Sequence, residues 1–278
     1  MVDSAIEIKS LIKDLNINKG DTVMLVSDVS SLLHLYKKKG KIFNINLFID
    51  YIQEKIGLNG TLVIPTFNFD FCKGITFDYY DTLPHTGSLA KVAFKRKDFK
   101  RTRNPIHSFV VSGKDKENLL NLKHTSSFGI DSPFFYLHKN CAKYLSVGLD
   151  FTNLGFTPAH YVEEQVGVTY RYFKNFSGTY INEDRSKKEV EYTFYVRDTL
   201  KTQATAIKKE TTKFLSEIKA YQKYVVQNEI FEIVELGKAL DFLIDDMKNN
   251  SENNRLIYPV KKDAKIERSK INKVGIRE

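Results

Sequence analysis

The sequence of 278 residues has little of what several large classes of protein require. It contains only two cysteines, Cys72 and Cys141, which is too few for a disulfide framework. Its longest apolar runs, such as Thr61–Pro65, are too short to cross a bilayer. The amino terminus carries charges where a signal peptide needs an apolar region. We therefore expect a cytoplasmic protein with no membrane span.

The sequence also has no close pair of histidines and no zinc-type spacing of Cys and His, so we expect no metal site. The histidines are His34, His85, His107, His124, His138 and His160. Internal repeats and low-complexity tracts are absent from the sequence as well.

Basic residues outnumber acidic ones, with 43 Lys and Arg against 34 Asp and Glu and a net charge of +9. This balance favours polyanionic partners, which include nucleic acid, anionic membranes and phosphorylated small molecules. A solubilising surface and tail explain it equally well. Aromatic residues do not interleave with a basic stripe, and no nucleic-acid motif is present. We therefore expect neither nucleic acid nor a membrane as the partner.

Apolar strand-like segments alternate with helix-like segments through the first half of the chain. This pattern predicts an α/β fold with a central mixed, largely parallel sheet layered by helices. From about residue 175 the pattern changes to an α+β segment with a half-exposed antiparallel strand, "VEYTFYVRD", and a long helix at roughly 211–222. We predict one domain over 1–250, of which 175–250 is the α+β segment, and a basic tail over 251–278.

A Thr-x-x-His-x-x-Glu pattern marks the start of a predicted helix. Thr157 suits the N-cap, Pro158 the first helical position and Gly167 the end. His160 then lies in the first turn, where the helix dipole disfavours a cation, and Glu163 lies on the same face. A neutral imidazole oriented by a carboxylate is the arrangement of a general base. The alternative is a hydrogen-bonded core histidine beside a solvated glutamate.

Several longer segments resemble, in order, the aminoglycoside 3-N-acetyltransferase family, over about residues 20–178 and more faintly through "FYVRD" and "KALDFLIDDM". The segments are "GDTVMLVSDVSSL", "GTLVIPTFNFDFCKGITFDYYDTLPHTGSLAKVAFKR", "RTRNPIHSF", "SSFGIDSPFFYL" and "LSVGLDFTNLGFTPAHYVEEQVGVTYRYFKNFSG". Within the family, "FDFCKG", "HYVEE" and "VTYRYFK" are closer to the branch found with surface-polysaccharide genes than to the drug-resistance branch.

The resemblance implies a fold distinct from the common N-acetyltransferase superfamily and a direct acyl transfer from acyl-CoA to an amine. His160 and Glu163 correspond to the catalytic His and Glu of the family. We therefore predict an acyl-CoA-dependent N-acyltransferase with acetyl-CoA as the default donor. The predicted acceptor is an amino sugar, possibly nucleotide-linked, used for a surface glycan; the alternative is an aminoglycoside antibiotic. A homo-oligomer is possible.

The loop after the first strand is a predicted contact for the pantetheine arm of CoA. It comprises Ser27, Asp28, Ser30 and Ser31. Family members usually carry His-Ser-Ser here, and Ser27 stands in place of that histidine, which weakens the expectation. Asp28 or Ser30 could equally serve as a helix N-cap.

A Thr-Gly-Ser turn, Thr86, Gly87 and Ser88, resembles the family stretch beside the pantetheine. Backbone N–H groups at such a turn can bind a carbonyl or phosphate. Thr157, or a backbone N–H near it, is a candidate donor to the oxyanion of the thioester carbonyl.

The stretch "NPIHSF" matches a family motif that has histidine where this chain has Asn104. His107, Ser108 and Phe109 are candidates for lining the acyl site. A strand entry fixed by Pro105 is the alternative.

Further charged and nucleophilic residues near these motifs allow two interpretations each. The basic run Lys95–Arg103 could meet CoA phosphates, although a solvated helix face is our preferred interpretation. Cys72 lacks an adjacent base, so we expect a structural or pocket-lining thiol and not a nucleophile. Four carboxylates could hold the ammonium of an amino sugar or serve as ordinary surface and capping groups: Asp70, Asp78, Asp150 and Glu164.

Overall fold

The computed structural model of the protein describes residues 2–152, 156–202, 204–250 and 257–260. The helices are α1 (Val2–Ser10), α2 (Ser30–Lys38), α3 (Ile45–Ile56), α4 (Ser88–Phe94), α5 (Lys116–Leu120), α6 (Pro133–Lys139), α7 (Pro158–Val166), α8 (Thr211–Glu217) and α9 (Leu236–Asn250). The strands are β1 (Thr22–Ser27), β2 (Thr61–Pro65), β3 (Phe77–Asp78), β4 (Lys100–Arg101), β5 (Phe109–Gly113), β6 (Lys143–Val147), β7 (Arg171–Ile181), β8 (Lys187–Arg197), β9 (Ala204–Ile207), β10 (Tyr221–Val226), β11 (Glu229–Glu235) and β12 (Ile257–Val260).

The main sheet has the strand order β10-β11-β6-β1-β2-β5-β4. Its central strands β6, β1 and β2 are parallel, whereas β11 and β10 on one side and β5 and β4 on the other are antiparallel to their neighbours. The predicted α/β fold with a mixed central sheet is confirmed, and its parallel pairing is confined to the centre.

Both faces of the main sheet are covered by helices. Val23 and Leu25 of β1 pack into a buried cluster with α1, α2, α3 and α4 on one face. Met24, between them, packs into the cluster on the opposite face, which includes α6, α7 and α9. Because successive strand residues point to opposite faces, an unbroken apolar strand such as β1 fits a sheet that is buried on both sides.

A second, three-stranded sheet has the order β3-β7-β8 and is built on the long antiparallel hairpin of β7 and β8. The hairpin starts at Arg171, four residues after α7 ends at its C-cap Gly167. The antiparallel strand expected at "VEYTFYVRD" is part of β8 and is confirmed. The hairpin therefore brings Arg171 next to the helix that carries His160.

The carboxyl-terminal segment differs from the sequence prediction in one helix. The helix expected at roughly 211–222 ends at Glu217, and Tyr221 already begins β10. Lys219 has a left-handed backbone with φ 56°, which stops the helix, and the following Tyr and Val residues favour a strand. The predicted tail 251–278 lies outside the described residues except for β12, which pairs antiparallel with β9.

Candidate active site

Helix α7 begins and ends where its sequence predicts. Pro158 is its first residue, and Gly167 follows its end with a left-handed backbone, φ 71°. Such a conformation is typical of glycine at a helix C-terminus. Thr157 occupies the N-cap position, but its side chain forms no capping hydrogen bond. His160 is therefore the third residue of the helix, within the first turn.

The side chains of His160 and Glu163 meet as the spacing predicts. Nδ1 of His160 lies 2.7 Å from Oε2 of Glu163. The same carboxylate oxygen lies 2.7 Å from Nε of Arg171, and Nη2 of Arg171 lies 2.9 Å from Nδ1 of His160. Imidazole, carboxylate and guanidinium thus form one compact cluster between α7 and the start of β7.

Glu163 is completely buried and ionised. Burial alone would raise its pKa, but the hydrogen bond with His160, the charge of Arg171 and a hydrogen bond from Tyr170 hold that pKa below its ordinary value. The Tyr170 hydroxyl donates to Oε1 at 3.1 Å. A buried carboxylate is stable in the charged form only with such partners. Glu163 is therefore a fixed acceptor for the imidazole.

Exposure decreases sharply across the cluster. The side chain of His160 is 32% exposed, that of Arg171 5% and that of Glu163 0%. His160 therefore has contact with solvent, whereas Glu163 and Arg171 are shielded from it. Interactions between the buried charges are consequently less screened than those on the surface.

An aromatic enclosure lies behind His160. The Phe128 ring is 5.9 Å from that of His160 and 4.8 Å from that of His107. Phe67 and Phe194 also lie 4.8 Å from the His107 ring. Burial, reinforced by the charge of Arg171, lowers the pKa of His107 well below its ordinary value. His107 is therefore a neutral group, and the Phe128 ring contacts both His107 and His160.

Two of the predicted CoA segments are neighbours. A Cβ on Gly87 would lie 3.7 Å from the carbonyl oxygen of Ser27, so the Thr86–Gly87 turn and the end of β1 face each other. The Thr86 hydroxyl donates to the Pro65 carbonyl at the end of β2. Ser88 is the first residue of α4. These segments lie at the carboxyl ends of parallel strands, where α/β proteins commonly bind ligands.

The rest of the loop after β1 is held within the protein. Asp28 Oδ1 accepts hydrogen bonds from the backbone N–H and the hydroxyl of Ser30, although Val29 is the N-cap residue of α2. The Ser31 hydroxyl donates to Glu229 Oε2 at 2.6 Å. Asp28 thus forms a local contact with Ser30, but the alternative prediction of an N-cap at Asp28 or Ser30 is wrong, since the N-cap of α2 is Val29.

Ser108 and Phe109 are buried and form internal contacts. The Ser108 hydroxyl donates to the carbonyl of Thr66 and accepts from Nε of Arg101 at 2.9 Å. Phe109 packs against Phe67 with a ring separation of 5.3 Å. These contacts support the main sheet beneath His107, and we leave Ser108 and Phe109 out of the proposed site.

The basic run Lys95–Arg103 is not the solvated helix face that we preferred. The helix α4 ends at Phe94, and the run continues into the short strand β4. Arg96 pairs with Asp50 and Asp98, and the buried Arg101 donates to the carbonyls of Thr66 and Thr82. Its arginines therefore serve structural contacts that composition alone does not reveal.

The four candidate carboxylates occupy different environments. Asp70 lines a pocket of about 450 Å³ and lies 3.3 Å from Nε2 of His85. Asp78 pairs with Arg185 and accepts the N–H groups of the turn that follows it, and Asp150 accepts from Thr152. Glu164 accepts from Ser126, and burial raises its pKa. Asp70 is already paired with Lys73 at 3.0 Å, as Asp78 is with Arg185, so both carboxylates have a cationic partner within the protein.

Cys72 is half-buried and unpaired, and burial raises the pKa of its thiol to about 11. Nucleophilic catalysis requires a thiolate. The environment of Cys72 therefore matches the expected structural or pocket-lining role.

Comparison with known proteins decides the family. The model of the family described as aminoglycoside 3-N-acetyltransferase matches residues 27–248. The chain belongs to this family. Membership of this family makes the chain an acyl-CoA-dependent N-acetyltransferase, as predicted.

Solved structures similar to this acetyltransferase cover most of its length. They include aminoglycoside acetyltransferase AAC(3)-Xa, with 15% identity, 88% of this chain and 92% of that chain covered, and a TM-score of 0.72. AAC-IIIb, solved as a binary complex with CoASH, has 13% identity, 88% and 96% coverage and a TM-score of 0.71. The YokD protein from Bacillus subtilis has 20% identity, 90% and 95% coverage and a TM-score of 0.70. At such identities the likeness shows the fold. No curated protein sequence matches the chain.

Arg171 and Tyr170 are residues of the acetyltransferase site that sequence reasoning missed. Both lie in "VTYRYFK", which we used only as a mark of resemblance. A basic residue soon after the Gly167 helix end was the available signal. The contact between Arg171 and Glu163 depends on the path of the chain between α7 and β7, which no local pattern encodes.

The described residues of the acetyltransferase were also compared with the requirements of a metal site and of a membrane span. In residues 2–152, 156–202, 204–250 and 257–260, no cluster of three or more His, Cys, Asp or Glu side chains is placed to hold a metal ion. Over the same residues, every helix is too short or too polar to cross a membrane.

Proposed function

We propose that His160, oriented by Glu163, is the general base of acetyl transfer from acetyl-CoA to the amine of an amino sugar. One observation carries this proposal: the 2.7 Å contact between Nδ1 of His160 and a completely buried, ionised carboxylate. A carboxylate can only accept hydrogen bonds, so Nδ1 carries a proton toward it and Nε2 keeps its lone pair. The one-third exposed ring can then reach a bound amine.

The proposed reaction is a direct acyl transfer. The neutral amine of the acceptor attacks the thioester carbonyl carbon while Nε2 of His160 takes a proton from the attacking nitrogen. The carbonyl oxygen becomes an oxyanion, for which the Thr157 hydroxyl or a backbone N–H near the start of α7 is the proposed donor. Collapse of the tetrahedral intermediate breaks the carbon–sulfur bond and releases CoA as the thiolate. The proton on His160 then passes to that thiolate or to solvent.

The proposed position of acetyl-CoA follows from the neighbouring segments at the ends of β1 and β2. Ser27 and the Thr86–Gly87 turn face each other there. Backbone N–H groups of such a turn can bind the amides of a pantetheine arm. From this edge, contacts run through Phe67 to His107 and through Phe128 to His160. Packed aromatic side chains thus connect this edge with His160.

The proposed acceptor is a free or nucleotide-linked amino sugar of a surface glycan. The similarity of "FDFCKG" and "HYVEE" to the surface-polysaccharide branch and the basic balance of the chain support it. Asp70 lines a pocket that could hold an ammonium group, and Glu164 is next to the base on α7. An aminoglycoside antibiotic is the second candidate, since the matching family and AAC(3)-Xa both carry that name. The two free cysteines agree with a cytoplasmic location.

The test replaces His160 by glutamine, with His34→Gln, an exposed histidine of α2, as the matched control. We expect His160→Gln to lower kcat by about 10²–10⁴, the usual contribution of positioned proton transfer, and the control to keep wild-type activity. Release of free thiol from acetyl-CoA is measured with amino-sugar nucleotides and with aminoglycosides. A folded His160→Gln protein with more than a tenth of the wild-type kcat would refute the role of His160. Turnover of aminoglycosides alone would replace the proposed acceptor by the second candidate.

A further inference from the structure

Nδ1 of His160 has two neighbours that favour opposite positions of the ring proton. Glu163 Oε2, at 2.7 Å, can only accept a hydrogen bond, which favours a proton on Nδ1. Arg171 Nη2, at 2.9 Å, can only donate, which favours a proton on Nε2. The second tautomer would leave His160 without the outward lone pair that a base requires. If Arg171 acted as a hydrogen-bond donor to Nδ1, His160 could not take a proton from the amine. Arg171 must therefore have a different role.

The contact of Arg171 with the carboxylate shows what that part is. Arg171 Nε lies 2.7 Å from the same Oε2, and both charged groups are almost without solvent contact. This contact is an ion pair without hydrogen-bond geometry, and two opposite charges shielded from solvent attract each other more strongly than a guanidinium attracts a neutral ring nitrogen. The guanidinium is thus committed to Glu163, and Nδ1 keeps its proton for the same carboxylate.

The charged groups around the imidazole of His160 indicate the role of Arg171. The groups that face His160 are Glu163 from its own helix, Arg171 from β7 and His107 from the segment before β5, with Tyr170 reaching Glu163. A buried carboxylate alone would hold the imidazole as a cation, and a cation cannot take a proton from the amine. The positive charge of Arg171 cancels this effect.

We propose that Arg171 is a positioning residue that balances the charge of Glu163 and so keeps His160 an uncharged base with its proton on Nδ1. This inference rests on the proposed role of His160, but the proton position in the free protein can be measured without turnover. It also explains why a pair that would otherwise form a stable ion pair can act as a base near neutral pH.

The experiment compares Arg171→Gln, which removes the charge, with Arg171→Lys, which keeps it. In Arg171→Gln we expect the pH at which kcat/KM falls to half its plateau to rise by about 1–2 pH units, the usual effect of changing one charge at this distance. Relative to wild type, this variant should therefore lose more activity at acidic than at alkaline pH. Arg171→Lys should stay within about half a unit of wild type. A merely structural role would lower the activity equally at every pH.

A second measurement reports on the ring directly. Nitrogen NMR of ¹⁵N-histidine-labelled protein, with the His160 signals assigned by their loss in His160→Gln, gives the charge and tautomer of the ring. At pH 7.5 we expect a neutral ring with Nδ1 protonated in the wild type and an imidazolium in Arg171→Gln. A wild-type ring protonated on Nε2, or an unchanged ring in folded Arg171→Gln, would overturn the inference. If Arg171→Gln does not fold, the wild-type tautomer still decides.

The two proposals fail in different ways. If His160→Gln retains full activity, the role of His160 as the base is wrong, while the NMR result still shows whether Arg171 sets the state of the ring. If His160→Gln is inactive and the ring is indifferent to Arg171, the base assignment stands and the inference about Arg171 is wrong.

Discussion

The substitution Glu163→Gln tests the cluster most severely because it keeps the side-chain size and removes the charge. The carboxylate lies 2.7 Å from His160 Nδ1, accepts from the Tyr170 hydroxyl at 3.1 Å and forms an ion pair with Arg171 at 2.7 Å. A glutamine oxygen can accept from some of these donors, but its NH₂ group then faces another donor. Removing one partner of a buried ion pair typically costs about 3–5 kcal/mol. Taking the lower end, at roughly 2 °C per kcal/mol, we expect the melting temperature to fall by about 6 °C or more.

The same substitution should reduce catalysis. Without an ionised partner, Nδ1 of His160 loses the acceptor that fixes its tautomer, so we expect kcat to fall by about 10²–10⁴. The assay is thiol release from acetyl-CoA at a temperature well below both melting points, with calorimetry on the same samples. Glu217→Gln, the same change at an exposed carboxylate of α8, is the matched control and should alter neither quantity.

The pH dependence of stability gives an independent check. The folded protein holds the pKa of Glu163 below its ordinary value, so its charge contributes stability that is fully present above the unfolded value of about 4.3. That contribution is lost as the pH falls through the lower folded pKa. The difference in melting temperature between wild type and Glu163→Gln should therefore shrink below about pH 4. A folded variant with kcat within tenfold of wild type and an unchanged melting temperature would refute the reasoning.

Two further predictions concern the neighbourhood of the site. Gly148→Ala should raise KM for acetyl-CoA, because a Cβ there would lie 2.3 Å from the Asp28 carbonyl oxygen and displace the loop after β1. The control in these initial-rate measurements is Gly40→Ala, since Gly40 has a similar positive φ and nothing within 4 Å. Equal KM values for the two variants would contradict the prediction. Cys72→Ser should keep kcat within about threefold of wild type. Because burial raises the pKa of Cys72 to about 11, alkylation followed by mass spectrometry should show Cys72 reacting more slowly than the exposed Cys141. Loss of activity in Cys72→Ser would instead indicate a nucleophile.

Local signals predicted the helix of the site well. Pro158 and Gly167 bound α7 because proline suits a first helical turn and glycine tolerates a left-handed end. Helical spacing then placed His160 and Glu163 on one face, and the structure brings their polar atoms together. The order of several longer segments supplied the family and with it the mixed α/β fold.

Contacts between distant segments could not be predicted in the same way. Arg171 reaches Glu163 through the turn that follows Gly167, and Arg101 is buried because β4 pairs with β5. In both cases a basic residue that sequence alone assigns to the surface is compensated by acceptors from elsewhere in the chain. The helix predicted at roughly 211–222 was too long for a related reason, since the pairing of β10 with β11 outweighs the local helical pattern.

The distribution of exposure in the cluster determines what each residue can do. If His160 were as buried as Glu163, its neutral state would be secure but no amine could reach Nε2. If Glu163 and Arg171 were as exposed as His160, water would screen their charges and neither the tautomer nor the charge of the imidazole would be fixed. The proposed base His160 lies on the solvent side of a helix turn and the ion pair of Glu163 and Arg171 lies beneath it, which meets both requirements. A carboxylate three residues after the histidine, on the buried side of the same helix, can therefore orient the imidazole.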